Sequence, residues 1–122
     1  MTYILIALGG ALGAVTRYLI MLSIAFPVVT LMVNIFGSFL MGLVFIWFST
    51  RMTGQWPLFL MTGFLGSFTT LSAFSLDVVR LFEAEKYIYV GGYVLATFVL
   101  SILAIFAGMF LMKARIALTL LK

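Results

Sequence analysis

Gly63-Phe-Leu-Gly66-Ser-Phe-Thr69-Thr70-Leu-Ser-Ala-Phe-Ser75 is the stretch that decides how this chain folds. Two glycines and five hydroxyl side chains fall within these thirteen residues. Glycine weakens a helix, and hydroxyl side chains offer the backbone other hydrogen-bond partners. The pattern therefore predicts a helix that is broken here. The other interpretation is an intact helix whose hydroxyls bond back to their own turn.

The sequence around this stretch has the composition of a membrane protein. Of the 122 residues, 66% are hydrophobic and 8% are charged, whereas a soluble domain carries about a quarter charged residues. The apolar residues also form runs long enough to cross a bilayer. We therefore expect an all-α membrane protein with a single domain over residues 1–122. A broken helix in it must be buried in protein or line a cavity, because lipid cannot satisfy the freed carbonyls.

Four transmembrane helices are predicted, and the loops between them are short enough that neighbouring helices must pack antiparallel. A glycine and a proline mark the clearest turn, over residues 51–57. The predicted spans are 3–24, 29–48, 58–82 and 87–112.

The residue types exclude several functions. The chain has no cysteine and no histidine, and its only acidic residues are Asp77, Glu83 and Glu85. Nothing resembles a paired-carboxylate site, a hydrolytic triad or a phosphate loop, so we expect no enzyme. The net charge of +4 is scattered along the chain. Scattered basic residues in a membrane protein set topology and contact lipid headgroups, so we expect no nucleic-acid partner.

The basic residues also bear on orientation, because four spans place both termini on one side. The terminal side has Arg51 and a predicted basic tail, and the other side has Lys86 with two arginines near span ends. The terminal side thus has four basic residues and the other side has three. If Arg17 and Arg80 are held within helices, the other side has one, and an excess of basic residues on the terminal side favours cytoplasmic termini. The orientation stays open at this point. The tail residues are Lys113, Arg115 and Lys122.

Polar side chains inside the spans form two stripes at helical spacing. Such stripes either line a narrow path between helices or hold the bundle together through hydrogen bonds. Asn34 is the sharpest case, because a whole amide needs partners. The stripe on the second span is Thr30, Asn34, Gly37 and Ser38, and that on the fourth span is Tyr93, Thr97 and Ser101.

Arg17 has two interpretations. A charged side chain in a span either snorkels to the interface or faces water or an acceptor inside the protein, where it would set a fixed positive charge beside an anion vestibule. Asp77 and Arg80, three residues apart, are expected to pair. The small-residue pairs Gly9–Gly13, Gly92–Ala96 and Ala104–Gly108 predict close helix packing.

Three segments of the chain together resemble the Fluc (CrcB) family of fluoride channels. They match in order and spacing, and the resemblance covers nearly the whole chain. The segments are Gly10-Ala-Leu-Gly-Ala-Val-Thr-Arg-Tyr18, Val33-Asn-Ile-Phe-Gly-Ser-Phe39 and the stretch from Gly63 to Ser75 quoted above.

The resemblance implies a fold and a mechanism. Fluc channels are dual-topology dimers in which two subunits pack antiparallel in a bacterial plasma membrane and fluoride leaves the cell passively through pores at their interface. A structural sodium ion (Na+) lies at the centre, held by backbone carbonyls that match Gly66 and Thr69. The implied pore residues are Asn34, Phe74 and Ser101, with Thr30 and Ser75 beside the path and Arg17 matching the arginine of the first helix.

The chain departs from the family pattern at three positions of its third span. Leu71 stands where the family has a first pore phenylalanine, and it has no electropositive ring edge to offer an anion. Ala73 lacks a hydroxyl, and Asp77 stands where many members carry glutamate. Leu71 therefore implies an altered pore, or one subunit of a heterodimer paired with a paralogous partner.

One other class of transporter shares this architecture. Small multidrug exporters are also four-helix dual-topology dimers, and they exchange protons for drugs through a glutamate in the first helix. Residues 3–24 contain no acidic residue, which speaks against this alternative.

Overall fold

The computed structural model describes residues 1–51 and 54–121. Within these ranges the chain is built of helices, and four segments are long and apolar enough to cross a membrane, as predicted. Met52 and Thr53 of the predicted 51–57 turn and Lys122 of the predicted basic tail lie outside the described residues. The four membrane-length segments are Thr2–Ser23, Val28–Ser49, Leu58–Glu83 and Tyr87–Leu120.

The third of these segments contains several helical pieces. A π-helix, Leu58–Leu65, continues into one short α-helical turn, and a separate helix follows after two residues. A π-helix is rare and is often found at functional sites. The α-helices are α1 (Thr2–Ser23), α2 (Val28–Ser49), α3 (Gly66–Phe68), α4 (Leu71–Glu83) and α5 (Tyr87–Leu120).

The last helix is longer than predicted. The fourth span was expected to end at residue 112, but α5 continues to Leu120, so Lys113 and Arg115 lie on a helix and not in a tail. The residues after Gly108 are mostly alanine, leucine, lysine and other helix formers without proline, so nothing in them ends the helix. At 34 residues, α5 is about 51 Å long. It therefore exceeds the ~30 Å hydrocarbon core of a bilayer.

Glycines let α2 and α5 lie against each other. A Cβ atom at Gly42 would collide with the carbonyl oxygen of Ile105, and one at Gly108 would collide with that of Phe39. Such backbone contact is what small residues at membrane interfaces allow. The packing predicted for Gly108 is confirmed, whereas a Cβ atom at Gly92 would meet no atom of another element within 4 Å in the single chain.

A second glycine pair joins α1 to the π-helix. A Cβ atom at Gly9 would meet the backbone of Phe59, and one at Gly13 would meet the backbone of Phe64. The close approach predicted for Gly9 and Gly13 is therefore confirmed. It fixes the third membrane segment against the first, next to the point where the helical backbone is interrupted.

Candidate functional site

Two extended residues separate α3 from α4. Thr69 has φ −79° and ψ 155°, and Thr70 has φ −153° and ψ 127°. Both angle pairs lie in the β region, so the α-helical conformation ends at Phe68 and begins again at Leu71, and the last helical bond before the break runs from the Thr69 N–H to the Leu65 carbonyl. We call these two residues the Thr69–Thr70 interruption.

Asn34 of α2 binds the backbone at the interruption. Its Nδ2 donates to the carbonyl oxygen of Thr70 at 3.0 Å, and its Oδ1 accepts from the Thr70 N–H at 2.8 Å. The side-chain amide thereby pairs the Thr70 N–H, which has no helical acceptor here, and gives the Thr70 carbonyl a second donor besides the first turn of α4. Asn34 is 8% exposed, so these two bonds are largely shielded from water.

Two carbonyls at the interruption lose their helical donors to side chains. In a continuous helix the Thr70 N–H would donate to the Gly66 carbonyl, but here it donates to Asn34. The Ala73 N–H, which would donate to the Thr69 carbonyl, instead donates to the Thr70 hydroxyl at 3.2 Å. Thr70 is thus the N-cap of α4. The carbonyls of Gly66 and Thr69 are left as acceptors.

A third carbonyl beside these is bound by Arg17 of α1. Its Nε donates to the carbonyl oxygen of Ser67 at 3.2 Å, across a sequence separation of 50 residues. A cation near the C-terminal end of a helix is favoured by the unpaired carbonyls there. Of the two interpretations of Arg17, the structure supports the acceptor inside the protein.

Gly37 of α2 allows the interruption to lie close to that helix. A side chain at Gly37 would collide with the methyl group of Thr69 and press on the ring of Phe68. Because Asn34 and Gly37 are one helical turn apart on α2, the glycine brings the backbone near and the asparagine binds it. The polar face predicted for the second span is thus directed at the third.

A cleft of about 210 Å³ lies between α2, the interruption and α5. The two polar stripes meet in it, with Asn34 and Ser38 on one wall and Thr97 and Ser101 on the other. Apolar side chains complete the walls. The cleft is lined by Asn34, Ser38, Thr69, Thr70, Leu71, Thr97, Phe98, Ser101 and Ile102.

Two hydroxyls in this cleft are buried without a hydrogen-bond partner among the described residues. They are Thr97 Oγ1 and Ser101 Oγ, one helical turn apart on α5. Buried hydroxyls are nearly always hydrogen-bonded, so a pair without partners requires an explanation. The family resemblance singles out only Ser101, and the signal for Thr97 is its place one turn earlier in the same stripe.

The structure brings some of the predicted pore residues together and leaves others outside the cleft. Asn34, Leu71 and Ser101 line it. Thr30 and Phe74 are buried outside its lining, and Ser75 is exposed on α4.

Phe74 does not line the cleft, but its ring contacts that of a residue that does. Its ring stacks on Tyr93 at 5.2 Å between centroids and meets Phe98 edge to face at 5.7 Å. Phe98 is a cleft residue, so the three rings form a continuous aromatic contact from the core to the cleft wall.

Tyr93, the first residue of the α5 stripe, is bound to an acid. Its hydroxyl donates to Asp77 Oδ2 at 2.9 Å, and Arg80 lies 3.8 Å from the other carboxylate oxygen. The predicted pairing of Asp77 with Arg80 is therefore confirmed. The carboxylate is buried and lies outside the cleft lining, so the cleft itself carries no negative side chain.

Comparison with known proteins gives a consistent result. Residues 4–109 match the family described as CrcB-like protein, Camphor Resistance (CrcB). A protein of Rhodopseudomonas palustris (strain BisB5) named fluoride-specific ion channel FluC is 43% identical over 122 residues, covering 93% of this chain and 98% of the relative. A protein of the same name from Agrobacterium fabrum (strain C58) is 47% identical over 113 residues, covering 86% and 90%.

Proposed function

This chain belongs to the CrcB-like family of fluoride-specific ion channels, and we propose that it lets cytoplasmic fluoride leave the cell passively through pores where two copies meet. The family consists of channels, not enzymes. The four membrane-length helices make the chain a multi-pass membrane protein. Its bacterial relatives support placement in the bacterial plasma (inner) membrane.

The observation that carries this proposal is the pair of unpartnered hydroxyls in the cleft. Thr97 Oγ1 and Ser101 Oγ can each donate to an anion, and the amide of Asn34 faces the same space. Hydrogen bonds from these three side chains would replace the hydrogen bonds to water that fluoride loses when it enters the cleft. A hydroxyl that is buried and unpaired in the protein gains its partner only when the anion is present.

A structural sodium ion (Na+) fits the interruption. The carbonyls of Gly66 and Thr69 have lost their helical donors, and carbonyl oxygens are suitable ligands for a hard cation. The bound charge would offset the unpaired carbonyl dipoles and favour an anion nearby. Arg17 binds the adjacent Ser67 carbonyl and so helps to hold the backbone beside the interruption in place.

A second copy in the opposite orientation would complete the pore. In a single chain the cleft is an open groove, and Leu71 at its edge is 67% exposed. Ser75, on the next turn of α4, is exposed too. An antiparallel partner would cover this edge, bring Ser75 towards the path and enclose the anion in protein.

Leu71 favours a second candidate, in which the chain is one subunit of a heterodimeric channel. A leucine at the cleft edge offers no ring edge to an anion, so one of two pores would be weakened. A fixed partner also requires a fixed orientation. Arg17 is bound inside the protein to the Ser67 carbonyl, which leaves four basic residues on the terminal side against Arg80 and Lys86 on the other. Because the chain belongs to the CrcB family, the alternative of a proton-coupled multidrug exporter is not proposed further.

Fluoride efflux from liposomes tests the proposal. We expect purified protein to release trapped fluoride when a potassium ionophore sets the voltage, as read by a fluoride electrode, with chloride released far more slowly. An absence of fluoride release, or equal release of chloride, would overturn it. A heterodimer subunit would release fluoride only when its partner is reconstituted with it.

A further inference from the structure

Two arginines face one cavity at the end of the molecule where α2 and α5 finish. The cavity measures about 110 Å³, and Arg51 and Arg115 line it together with Trp47 and Thr119. The guanidinium carbon of Arg51 lies 3.8 Å from the centroid of the Trp47 ring. This cation–π contact holds one of the two charges in a fixed place. We call this space the arginine cavity.

No acidic side chain of the protein can neutralise the arginine cavity. Asp77 is bound to Tyr93, which precedes Arg115 by 22 residues of α5, or about 33 Å of helix. The other acids, Glu83 and Glu85, precede the start of α5 and are farther away along it. Two positive charges that share a small space repel each other, so an external anion would stabilise them.

An apolar groove adjoins the arginine cavity and shares Arg115 with it. The groove measures about 540 Å³, and its other walls are leucine, methionine and alanine side chains. A ligand seated in both spaces would place an anionic group between two guanidiniums and a hydrocarbon chain along the groove. The groove is lined by Leu43, Leu111, Met112, Ala114, Arg115 and Leu118.

We propose that this end of the molecule binds one anionic phospholipid, with its phosphate in the arginine cavity and an acyl chain in the apolar groove. Guanidinium groups bind phosphate through paired charge-assisted hydrogen bonds. Trp47 lies in the last turn of α2, and tryptophans at the ends of membrane-spanning helices favour contact with lipid headgroups. A free phosphate would use the arginines but would leave the groove empty.

Lipid retention tests the proposal. The purified protein in mild detergent is mixed with equal amounts of phosphatidylglycerol and phosphatidylcholine with the same acyl chains, and bound lipid is counted by native mass spectrometry. We expect the protein to retain phosphatidylglycerol selectively, because the choline group would be repelled by the arginines. Arg51→Gln and Arg115→Gln should each reduce retention about tenfold, as expected for a lost hydrogen bond to a charged group.

Lys113→Gln is the matched control, because it removes the same charge from an exposed position of α5 outside the arginine cavity. It should leave retention within about twofold of wild type, since the charge lost does not contact the phosphate. Equal loss in Lys113→Gln would show general charge attraction and overturn the site. Equal retention of both lipids would do the same, and so would displacement of lipid by millimolar inorganic phosphate, which would assign the cavity to free phosphate.

A second measurement tests the place of the lipid. The chain has two tryptophans, so Trp56→Phe leaves Trp47 as the single tryptophan, which is excited selectively over the tyrosines. Phosphatidylglycerol with brominated acyl chains should quench Trp47 more than brominated phosphatidylcholine at equal concentration. The difference should disappear in Arg115→Gln and persist in Lys113→Gln. Equal quenching by the two lipids in the otherwise unchanged protein would overturn the proposal.

Discussion

Asn34 and Thr70 are joined by two hydrogen bonds, one in each direction, between a side-chain amide and a main-chain peptide unit. The pair links α2 to the interruption across 36 residues of sequence. It takes the Thr70 N–H away from the Gly66 carbonyl and gives the Thr70 carbonyl, which as that of an N-cap residue also starts the hydrogen bonding of α4, a second donor. Asn34 therefore stabilises the extended backbone from which the proposed cation site is built.

Replacing Asn34 with alanine should remove both bonds and leave the Thr70 N–H without an acceptor. The orphaned N–H costs about 1–3 kcal/mol, so the protein should unfold more readily, and fluoride release should be abolished. Thermal unfolding in detergent and liposome efflux measure the two effects. Asn34→Asp is the informative partner variant: its carboxylate accepts from the Thr70 N–H but cannot donate to the carbonyl, and its charge repels the anion.

Asn34→Asp should therefore recover part of the stability while fluoride release stays abolished. Normal release with Asn34→Ala would contradict the role of Asn34 in the path. An unfolding temperature equal to wild type would contradict its role at the interruption.

Leu71→Phe should maintain or raise the rate of fluoride release. Leu71 is 67% exposed at the edge of the cleft, so a larger ring has space and brings an electropositive edge towards the anion. Leu76→Phe, at an exposed position of α4 outside the cleft lining, is the control and should have no effect. A loss of release specific to Leu71→Phe would show that the pore is built around leucine.

Sodium should stabilise the protein, and Gly66→Leu should remove that stabilisation. Saturating sodium, at about 100 times its dissociation constant, would contribute about 2.7 kcal/mol and raise the unfolding temperature relative to N-methylglucamine. A Cβ atom at Gly66 meets only the Met61 carbonyl, at 3.4 Å, so the start of a side chain causes no backbone collision there. Gly91→Leu, where no atom lies within 4 Å, is the control and should keep the sodium effect.

Identical sodium effects in wild type, Gly66→Leu and Gly91→Leu would argue against a cation at the Gly66 and Thr69 carbonyls. Loss of the effect in both variants would point to a general response to bulky residues in place of a local site.

Gly42→Ala should destabilise the contact between α2 and α5. The added Cβ atom would collide with the Ile105 backbone, and overpacking of this kind costs about 1–3 kcal/mol. Gly92→Ala faces open space in the single chain and should be neutral or stabilising by up to about 1 kcal/mol. The two unfolding free energies in detergent give the comparison, and equal values would show that Gly42 is not a close contact.

Much of the fold could be predicted from sequence because the signals are local. Long apolar runs indicate the four membrane segments, and helical spacing places Asn34 with Gly37 and Thr97 with Ser101 on single faces. The end of α5 was predicted wrongly, because Lys113 and Arg115 were taken as the end of a helix whose propensity continues to Leu120. A charged side chain such as that of lysine or arginine limits how far a helix can extend into lipid, but lysine and arginine are good helix formers and do not end the helix.

The partners at the site could not be predicted in the same way. Asn34 needs a partner, but only the folded chain shows that the partner is the backbone of Thr70. The bond from Arg17 to the Ser67 carbonyl likewise joins two helices, α1 and α3, that are far apart in sequence. Such contacts depend on how closely the glycines let the helices approach, which a single sequence does not specify.

The most direct test of the account is fluoride efflux from liposomes that contain the double variant Thr97→Val and Ser101→Ala. These hydroxyls have no partner among the described residues, so their removal should not lower the unfolding temperature. Fluoride release should nevertheless fall about tenfold or more, as expected when an anion loses charge-assisted hydrogen bonds. Thr119→Val, whose hydroxyl bonds to the Arg115 carbonyl outside the cleft, should release fluoride like wild type. Unchanged fluoride release from the double variant would contradict a path through this cleft.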